Sequence, residues 1–299
     1  MGAIQEFWKP FVYEQILKVC PQVLTKRETK WLKEKHEQIL KCADNKKIPR
    51  HPEAGHVSGD FQIMHNGLKI FTGCYSTPTN RGMMTHLFEV NKGVHEPSEE
   101  FAFQVILETI PSNATIVELG SWWAFYSMWF KSKVANAEAY MVEPEADRLE
   151  DGKKNFALNG FQGHFYQYFV GASSGPWTKK KLTLAGIKDV ETNQKMICID
   201  DFVAQNGIKF IDILHADIQG AEADMLDGAK KTISNRLVRY WVISTHSDQL
   251  HQDCIKKLEQ SNYKVLCEAD VSKSMHVDGF IVARAQELPG PDKIQIETN

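Results

Sequence analysis

The spacing of apolar and polar residues changes character near residue 114. Beyond that point, short apolar runs alternate with segments whose apolar residues recur at a helical spacing. This pattern predicts strands at 115–119, 138–142, 164–170, 209–216, 239–245, 263–269 and 277–283, and helices at 124–135, 146–158, 199–206, 221–235 and 248–261. Regular alternation favours crossover connections, and therefore a parallel sheet covered by helices on both faces.

The last two predicted strands, 263–269 and 277–283, are separated by a short loop with no helix. Strands joined in this way pair antiparallel, because a parallel pair needs a longer crossover. The predicted fold class is therefore α/β, with five parallel strands closed by an antiparallel C-terminal hairpin.

The chain before residue 96 has a different pattern. Residues 1–47 have a helical period, with an apolar face from Phe7 to Cys20 and a second helix capped by Thr25. Residues 61–72 read as a β-hairpin around Asn66 and Gly67, and 73–82 read as a loop. A helix capped by Ser98 follows. We predict an N-terminal cap region at 1–95 that forms a substrate or oligomer surface, a cofactor-binding domain at 96–288, and a frayed polar tail at 289–299. The sequence is compatible with a homodimer.

Composition and charge narrow the classes of partner. The formal net charge is −3 with both signs interspersed, which disfavours binding to long nucleic acids. No apolar run reaches the ~18 residues of a membrane span, and the N-terminus lacks the pattern of a secretory signal. The six cysteines form no Cys-x-x-Cys pair, which is typical of reduced thiols. We therefore expect a cytoplasmic protein that does not bind membranes.

Residues 115–143 carry the first candidate chemistry. The first strand ends at Glu118, a turn follows at Gly120, and the next strand ends at Glu143. This succession of strand, glycine turn, helix, strand and acid is typical of sites for nucleoside-bearing cofactors, in which the second acid accepts hydrogen bonds from the ribose. An acid at the position of Glu118 either holds the turn or faces an ammonium group of the cofactor.

In this order, several sequence blocks resemble the FkbM-type S-adenosylmethionine-dependent methyltransferases. The resemblance covers roughly Gly93 to Ala283 and includes Gly-Val-His-Glu-Pro97, Val-Glu-Pro144, Lys154 to Asn159 and Ile213 to Glu222. It implies the class I methyltransferase fold, S-adenosylmethionine as cofactor, and methylation of a hydroxyl on a sugar or natural product. The cofactor-binding residues that it implies are Glu96, Glu118, Gly120, Ser121, Trp122, Ser127, Glu143 and Asp217.

The chain departs from the family pattern at four positions. Trp122 and Ala124 stand where the family usually has Asn and Gly in the turn, and His215 and Gln219 stand where it has Lys and Glu. Trp122 either stacks on a ligand or packs against the protein. The methyl group of Ala124 costs little if that residue is helical.

Two predicted strand ends supply candidate acceptor chemistry. Asp217 and His246 follow neighbouring strands, so both side chains are expected in one cleft. We predict that His246 is the general base and that Asp217 positions the acceptor or the cofactor amine. A divalent metal is the alternative, with His215, Asp217, His246 and Asp248 as ligand types, although no metal-ligand spacing motif is present.

The predicted function is transfer of a methyl group to a hydroxyl of a small, sugar-like molecule. Two other readings stay open: an NAD-dependent oxidoreductase, and a non-catalytic protein that binds an adenosyl cofactor. Glu118 beside the turn and the antiparallel end hairpin count against the first, and the retained Glu118, Glu143 and Asp217 count against the second.

Overall fold

The computed structural model describes residues 26–74, 81–183 and 186–299. Its helices, besides a 3-10 helix at Ala43–Lys47, are α1 (Lys26–Lys41), α2 (Arg81–Val90), α3 (Pro97–Leu107), α4 (Phe125–Lys133), α5 (Ala146–Leu158), α6 (Ile199–Gln205), α7 (Glu222–Asp227), α8 (Lys230–Ser234) and α9 (Asp248–Gln260). Its strands are β1 (Val57–Ser58), β2 (Phe61–Ile63), β3 (Lys69–Phe71), β4 (Thr115–Leu119), β5 (Glu138–Val142), β6 (His164–Tyr166), β7 (Phe169–Val170), β8 (Gly175–Thr183), β9 (Gly186–Ile197), β10 (Ile211–Ala216), β11 (Val238–Thr245), β12 (Tyr263–Ala269) and β13 (Gly279–Ala285).

A seven-stranded sheet with the order β12-β13-β11-β10-β4-β5-β6 forms the centre of the molecule. The five strands from β11 to β6 are parallel. Strand β13 lies between β11 and β12 and is antiparallel to both. The predicted fold class is confirmed, and the carboxyl ends of five strands lie at one edge of the sheet, where such folds bind their ligands.

The sheet is buried on both faces, and each face packs against its own hydrophobic core. Ile116 of β4 packs into one hydrophobic core with Phe103 and Trp129. Its neighbour Val117 packs into the opposite core with Phe202. Successive side chains of a strand point to opposite faces, so β4 contributes to both layers. Trp129, which lies within the predicted helix at 124–135, is 2% exposed.

Three elements were not predicted from the pattern. Helix α2 begins inside the stretch expected to be a loop. Strands β8 and β9 pair antiparallel in a small sheet with β7, in a polar segment that shows no alternation. The helix predicted at 221–235 is divided into α7 and α8 around Gly228, whose added Cβ would lie 2.4 Å from the backbone oxygen of Gly171. These differences come from tertiary contacts that periodicity does not encode.

The predicted hairpin around Asn66 and Gly67 is confirmed as β2 and β3, with Gly67 at φ +87°. The apolar face from Phe7 to Cys20 and the cap at Thr25 lie outside the described residues.

Two expectations for the flanking segments are wrong. Pro97 is the first residue of α3, so Ser98 lies inside the helix and does not cap it. The tail is not frayed: Ile294 is buried and donates its N–H to the Leu266 carbonyl, and the Glu297 N–H donates to the Asp44 carboxylate. No helix in the described ranges is both long and apolar enough to cross a bilayer.

Candidate active site

The turn after β4 brings three strand ends into contact. Gly120 has φ +71°, and a Cβ added to it would lie 1.8 Å from the backbone oxygen of Asp217. The N–H groups of Gly120 and Ser121 both donate to the Val142 carbonyl at the end of β5. Only glycine fits this position, because a side chain would collide with the backbone that follows β10. The turn therefore sets the spacing of β4, β5 and β10 at the ligand-binding edge.

The Glu118 carboxylate stabilises the start of α4. Its Oε2 atom accepts the Ser127 N–H at 2.9 Å, and the carboxyl is 3% exposed. Burial raises the pKa of Glu118, an effect that His215 and the Ser127 contact oppose. Glu118 could either hold the turn or face an ammonium group of the cofactor, and its contact with the Ser127 N–H supports the first role. Of the two serine hydroxyls expected to bind the cofactor, Ser121 Oγ is buried without a hydrogen-bond partner, and Ser127 Oγ lies beside the Glu118 carboxylate.

The turn contains two left-handed residues that carry side chains. Ala124 is the N-cap of α4 with φ 59° and ψ 38°, and Trp122 has φ 38°. The condition for a small cost at Ala124 is not met, because the residue is left-handed rather than helical. A left-handed conformation costs a residue with a Cβ roughly 1–2 kcal/mol.

Glu143, at the end of β5, is tied to the same turn. Its Oε2 accepts the Trp122 N–H at 3.1 Å and its Oε1 accepts the Glu145 N–H at 2.9 Å. Burial raises its pKa to about 7, against the opposing effect of these contacts and of Arg148. A carboxylate has about four lone-pair sites, so each oxygen can accept one further hydrogen bond. The Trp122 ring packs against the core and lies under the Arg148 guanidinium, 4.8 Å from the ring centroid.

The structure brings together Asp217 and His246, the two residues predicted for the acceptor cleft. His246 Nε2 lies 3.1 Å from Asp217 Oδ1, and Nδ1 lies 3.1 Å from Glu222 Oε1. Asp278 Oδ1 is 3.8 Å from the same Nε2. Burial lowers the pKa of an imidazole, but the three carboxylates together raise the pKa of His246 well above its ordinary value.

The raised pKa bears on the role predicted for His246. An imidazole that is protonated at neutral pH has no lone pair with which to accept a proton from a hydroxyl. The geometry therefore supports an acceptor-side position for His246 more than it supports the role of general base.

Two acids of this cluster were not foreseen as site residues. Glu222 was noted only as a match to the family pattern, and Asp278 was placed inside the last predicted strand. Asp278 directly precedes β13, and the beginning of an antiparallel strand lies at the same edge as the ends of its parallel neighbours. That topological signal could have identified Asp278 from the sequence.

His215 and Asp248, the other two metal-ligand types proposed from the sequence, lie outside this cluster. His215 Nε2 is 3.0 Å from Glu99 Oε1, and the imidazole stacks on Tyr126 with 4.0 Å between ring centroids. Asp248 Oδ1 accepts the Ser272 N–H.

Glu96 belongs to a buried network beside the cleft. Its Oε2 accepts the Tyr126 hydroxyl at 3.0 Å and lies 3.1 Å from His95 Nε2. Burial raises the pKa of Glu96, but the contacts with His95 outweigh burial and lower it. The carboxylate is therefore held ionised next to Asp217 and Asp278, whose charges affect the pKa values of this group of acids.

The strand order and the cofactor-type turn define a methyltransferase of class I. Residues 95–265, more than half of the chain, match the model of the methyltransferase FkbM domain. The chain belongs to the FkbM methyltransferase family, as the sequence blocks predicted.

Three proteins are similar to this chain over part of its length. A protein of Jannaschia sp. (strain CCS1) named "Putative methyltransferase" is 27% identical over 210 residues, which cover 59% of this chain and 74% of that protein. The structure of M. capricolum TrmK in complex with S-adenosyl-homocysteine has a TM-score of 0.40 at 15% identity, with 63% of this chain and 71% of that chain covered. The precorrin-6y C5,15-methyltransferase of Geobacter metallireducens GS-15 has a TM-score of 0.40 at 12% identity, with 61% and 86% covered. The family assignment rests on the strand order and on the match to the family model. The two structural similarities, at TM-scores of 0.40, do not contribute to it.

Proposed function

We propose that the protein transfers a methyl group from S-adenosylmethionine to a hydroxyl of a small, sugar-like molecule. One observation carries the proposal: the cofactor-type turn with Glu118, Gly120 and Glu143 lies at the same sheet edge as Asp217 and His246. Strands β4 and β10 are neighbours in the sheet, and Asp217 donates its N–H to the Leu119 carbonyl. The cofactor half of this edge (Glu118, Gly120 and Glu143) and the acceptor half (Asp217 and His246) are therefore adjacent.

The residues of the turn fit S-adenosylmethionine. Glu143 has remaining lone pairs for the ribose hydroxyls. The buried hydroxyl of Ser121 lacks a partner, and such a group is normally satisfied by water or a ligand. When bound, the cofactor supplies an activated methyl group.

Carboxylates outnumber cationic groups in the acceptor half. Asp217, Glu222 and Asp278 surround the single imidazole of His246. Carboxylates accept hydrogen bonds from hydroxyl groups and repel phosphates. This charge supports a neutral polyol as the acceptor and disfavours a nucleic acid.

Asp217 and His246 are assigned to orienting the acceptor hydroxyl. Alignment of the hydroxyl with the transferred group supplies a large share of the rate in such a displacement. The hydroxyl proton must also leave, and a protonated His246 cannot accept it, so its removal requires another group or solvent.

The decisive assay measures transfer of label from S-adenosylmethionine carrying a labelled methyl group. The purified chain is tested on a panel of glycans, small polyols, amines and RNA, and products are identified by mass spectrometry. Methylation of a polyol oxygen, abolished by Glu143→Ala, is expected. Label on an amine or on RNA would overturn the acceptor class.

A binding experiment separates the proposed enzyme from the two alternatives. Thermal unfolding is followed with S-adenosylhomocysteine or with NAD. We expect stabilisation by the first ligand alone. Stabilisation by NAD would favour an oxidoreductase. Binding of S-adenosylhomocysteine without turnover of any acceptor in the panel would favour a non-catalytic protein.

A further inference from the structure

The cluster formed by Asp217, Glu222 and His246 has the dimensions of a cation site. One ligand atom from each residue lies within 4.8 Å of the other two. Ligand atoms at about 2.1–2.3 Å from one cation are about 3 Å apart at right angles and about 4.4 Å apart across it. The contacts of His246 Nε2 with Asp217 Oδ1 at 3.1 Å and with Asp278 Oδ1 at 3.8 Å fall within this range, while Glu222 Oε1 lies 3.1 Å from the other ring nitrogen, Nδ1.

Two buried side chains in the cluster lack the partners that they need. Glu222 is 0% exposed, and its Oε2 atom has no hydrogen-bond partner. The His246 side chain is 9% exposed, and neither ring nitrogen makes a hydrogen bond of acceptable geometry, although carboxylate oxygens lie 3.1 Å from each. A buried polar atom without a partner is costly. These atoms point to a ligand between the three side chains.

The charge of the cluster also calls for a cation. Across the part of the chain that the structure describes, every ion pair of Asp217, Glu222 and Asp278 is made with His246. Three carboxylates facing one imidazole leave an excess of negative charge, even when the imidazole is protonated. The Glu222 side chain is fully buried, whereas those of Asp217 and Asp278 are 34% and 24% exposed, so the cost of the unneutralised charge is greatest at Glu222.

We propose that Asp217, Glu222 and His246 bind one divalent cation of the Mn²⁺ type, with Asp278 at its edge. Binding displaces the imidazole proton to solvent, because only the neutral imidazole has a lone pair for a metal. Carboxylate oxygens suit Mg²⁺, Ca²⁺ and Mn²⁺, and the single imidazole shifts the preference towards a transition metal. The ligands come from the ends of β10 and β11 and from the start of α7, which are elements of the rigid sheet edge.

The cation gives the acceptor a more specific chemical class. Three protein ligands leave coordination positions open, and two adjacent hydroxyl oxygens can fill a pair of them. The acceptor is therefore a compound with vicinal hydroxyl groups, and coordination lowers the pKa of the hydroxyl so that its proton can pass to solvent. This last step rests on the proposed function, whereas binding of the cation does not.

The test is a titration of the metal-free protein with Mn²⁺, followed by electron paramagnetic resonance without cofactor or acceptor. We expect one Mn²⁺ per chain, and affinity lowered by roughly 10-fold or more in Asp217→Asn and in His246→Ala. Asp248→Asn is the matched control, because this acid lies two residues from His246 but bonds to Ser272 instead. Its affinity should equal that of the wild type.

Two results would overturn the site: no stoichiometric Mn²⁺, or equal loss of affinity in Asp248→Asn and Asp217→Asn. Because Glu222→Gln changes a fully buried group and can unfold the protein, the test relies on Asp217, whose side chain is 34% exposed. Thermal unfolding verifies that each variant is folded. Calorimetry with S-adenosylhomocysteine on the same samples separates failure of the cation site from failure of the cofactor site.

Discussion

The two halves of the ligand-binding edge are held by different interactions. In the cofactor half, Glu118 and Glu143 accept hydrogen bonds from backbone N–H groups of the turn and of the segments that flank it. In the acceptor half, Asp217, Glu222 and Asp278 surround one imidazole. The first half is fixed by the fold itself, and the second is held by charges that a ligand can reorganise. A change in the first half should therefore affect folding or cofactor binding, and a change in the second should affect the acceptor.

The largest effect is expected at Gly120. Replacing Gly120 by Ala puts a Cβ 1.8 Å from the Asp217 oxygen at φ +71°, so the free energy of unfolding should fall by about 3 kcal/mol or more. Gly160→Ala is a matched control, since it has φ +72° with nothing within 4 Å of the added Cβ. It should cost only about 1 kcal/mol. Urea denaturation measures both, and equal costs would show that the β4 turn tolerates a side chain.

In the acceptor half, His246→Ala should lower turnover by ~100-fold or more, because the acceptor hydroxyl is no longer oriented, and leave the affinity for S-adenosylhomocysteine nearly unchanged. The imidazole contacts acceptor-side carboxylates and none of the atoms that hold the β4 turn. His164→Ala, which removes an exposed imidazole paired with Glu138, serves as control. Steady-state kinetics and calorimetry give the two quantities. Turnover within a few-fold of wild type would remove His246 from the reaction.

The pKa of Glu143 predicts a pH dependence for the cofactor half. Its folded value of about 7 lies above the ordinary 4.5, so the native state binds more protons than the unfolded state between these values. Glu143 therefore contributes stability below about pH 4.5 that is lost as pH rises through 7, by up to about 3 kcal/mol.

Glu143→Gln should remove this part of the slope between pH 5 and 8, measured by urea denaturation without cofactor. Glu150→Gln, at an exposed residue of α5, is the control and should keep the wild-type slope. An unchanged slope in Glu143→Gln would show that the carboxyl is ionised throughout this range.

The smallest effect concerns Ala124. Ala124→Gly relieves the left-handed strain at φ 59° and should raise the free energy of unfolding by about 1 kcal/mol. Ala157→Gly, at an exposed helical residue of α5, should lower it by a similar amount. Opposite signs in thermal or urea denaturation are the expected result. A loss of stability at both sites would mean that the Ala124 methyl contributes more through packing than it costs in strain.

The sheet could be predicted well from the sequence, because the two features that indicate it are local in the chain. Apolar runs marked the strands, and the short link between the last two required antiparallel pairing. Glu118, Gly120 and Glu143 were found because each lies within one residue of the end of a strand. Asp278 was missed because it enters the cleft from the start of an antiparallel strand, and the left-handed backbone of Ala124 has no signature in an alanine.

The charge state of His246 could not be predicted from the sequence either. Its neighbours come from β10, α7 and the segment before β13, so the raised pKa depends on contacts between distant segments. Whether residues 1–95 form a substrate or oligomer surface stays a prediction.

The tail has a consequence for the order of folding. The bond between the Glu297 N–H and Asp44 joins residues 253 positions apart, and Ile294 packs beside β12. Contacts between segments so far apart form late, because the intervening chain must be ordered first. During synthesis, the 3-10 helix at Ala43–Lys47 therefore cannot contact Glu297 until all strands of the sheet have been made. A nascent chain stalled before residue 294 should have an assembled sheet whose amino-terminal region is still sensitive to protease.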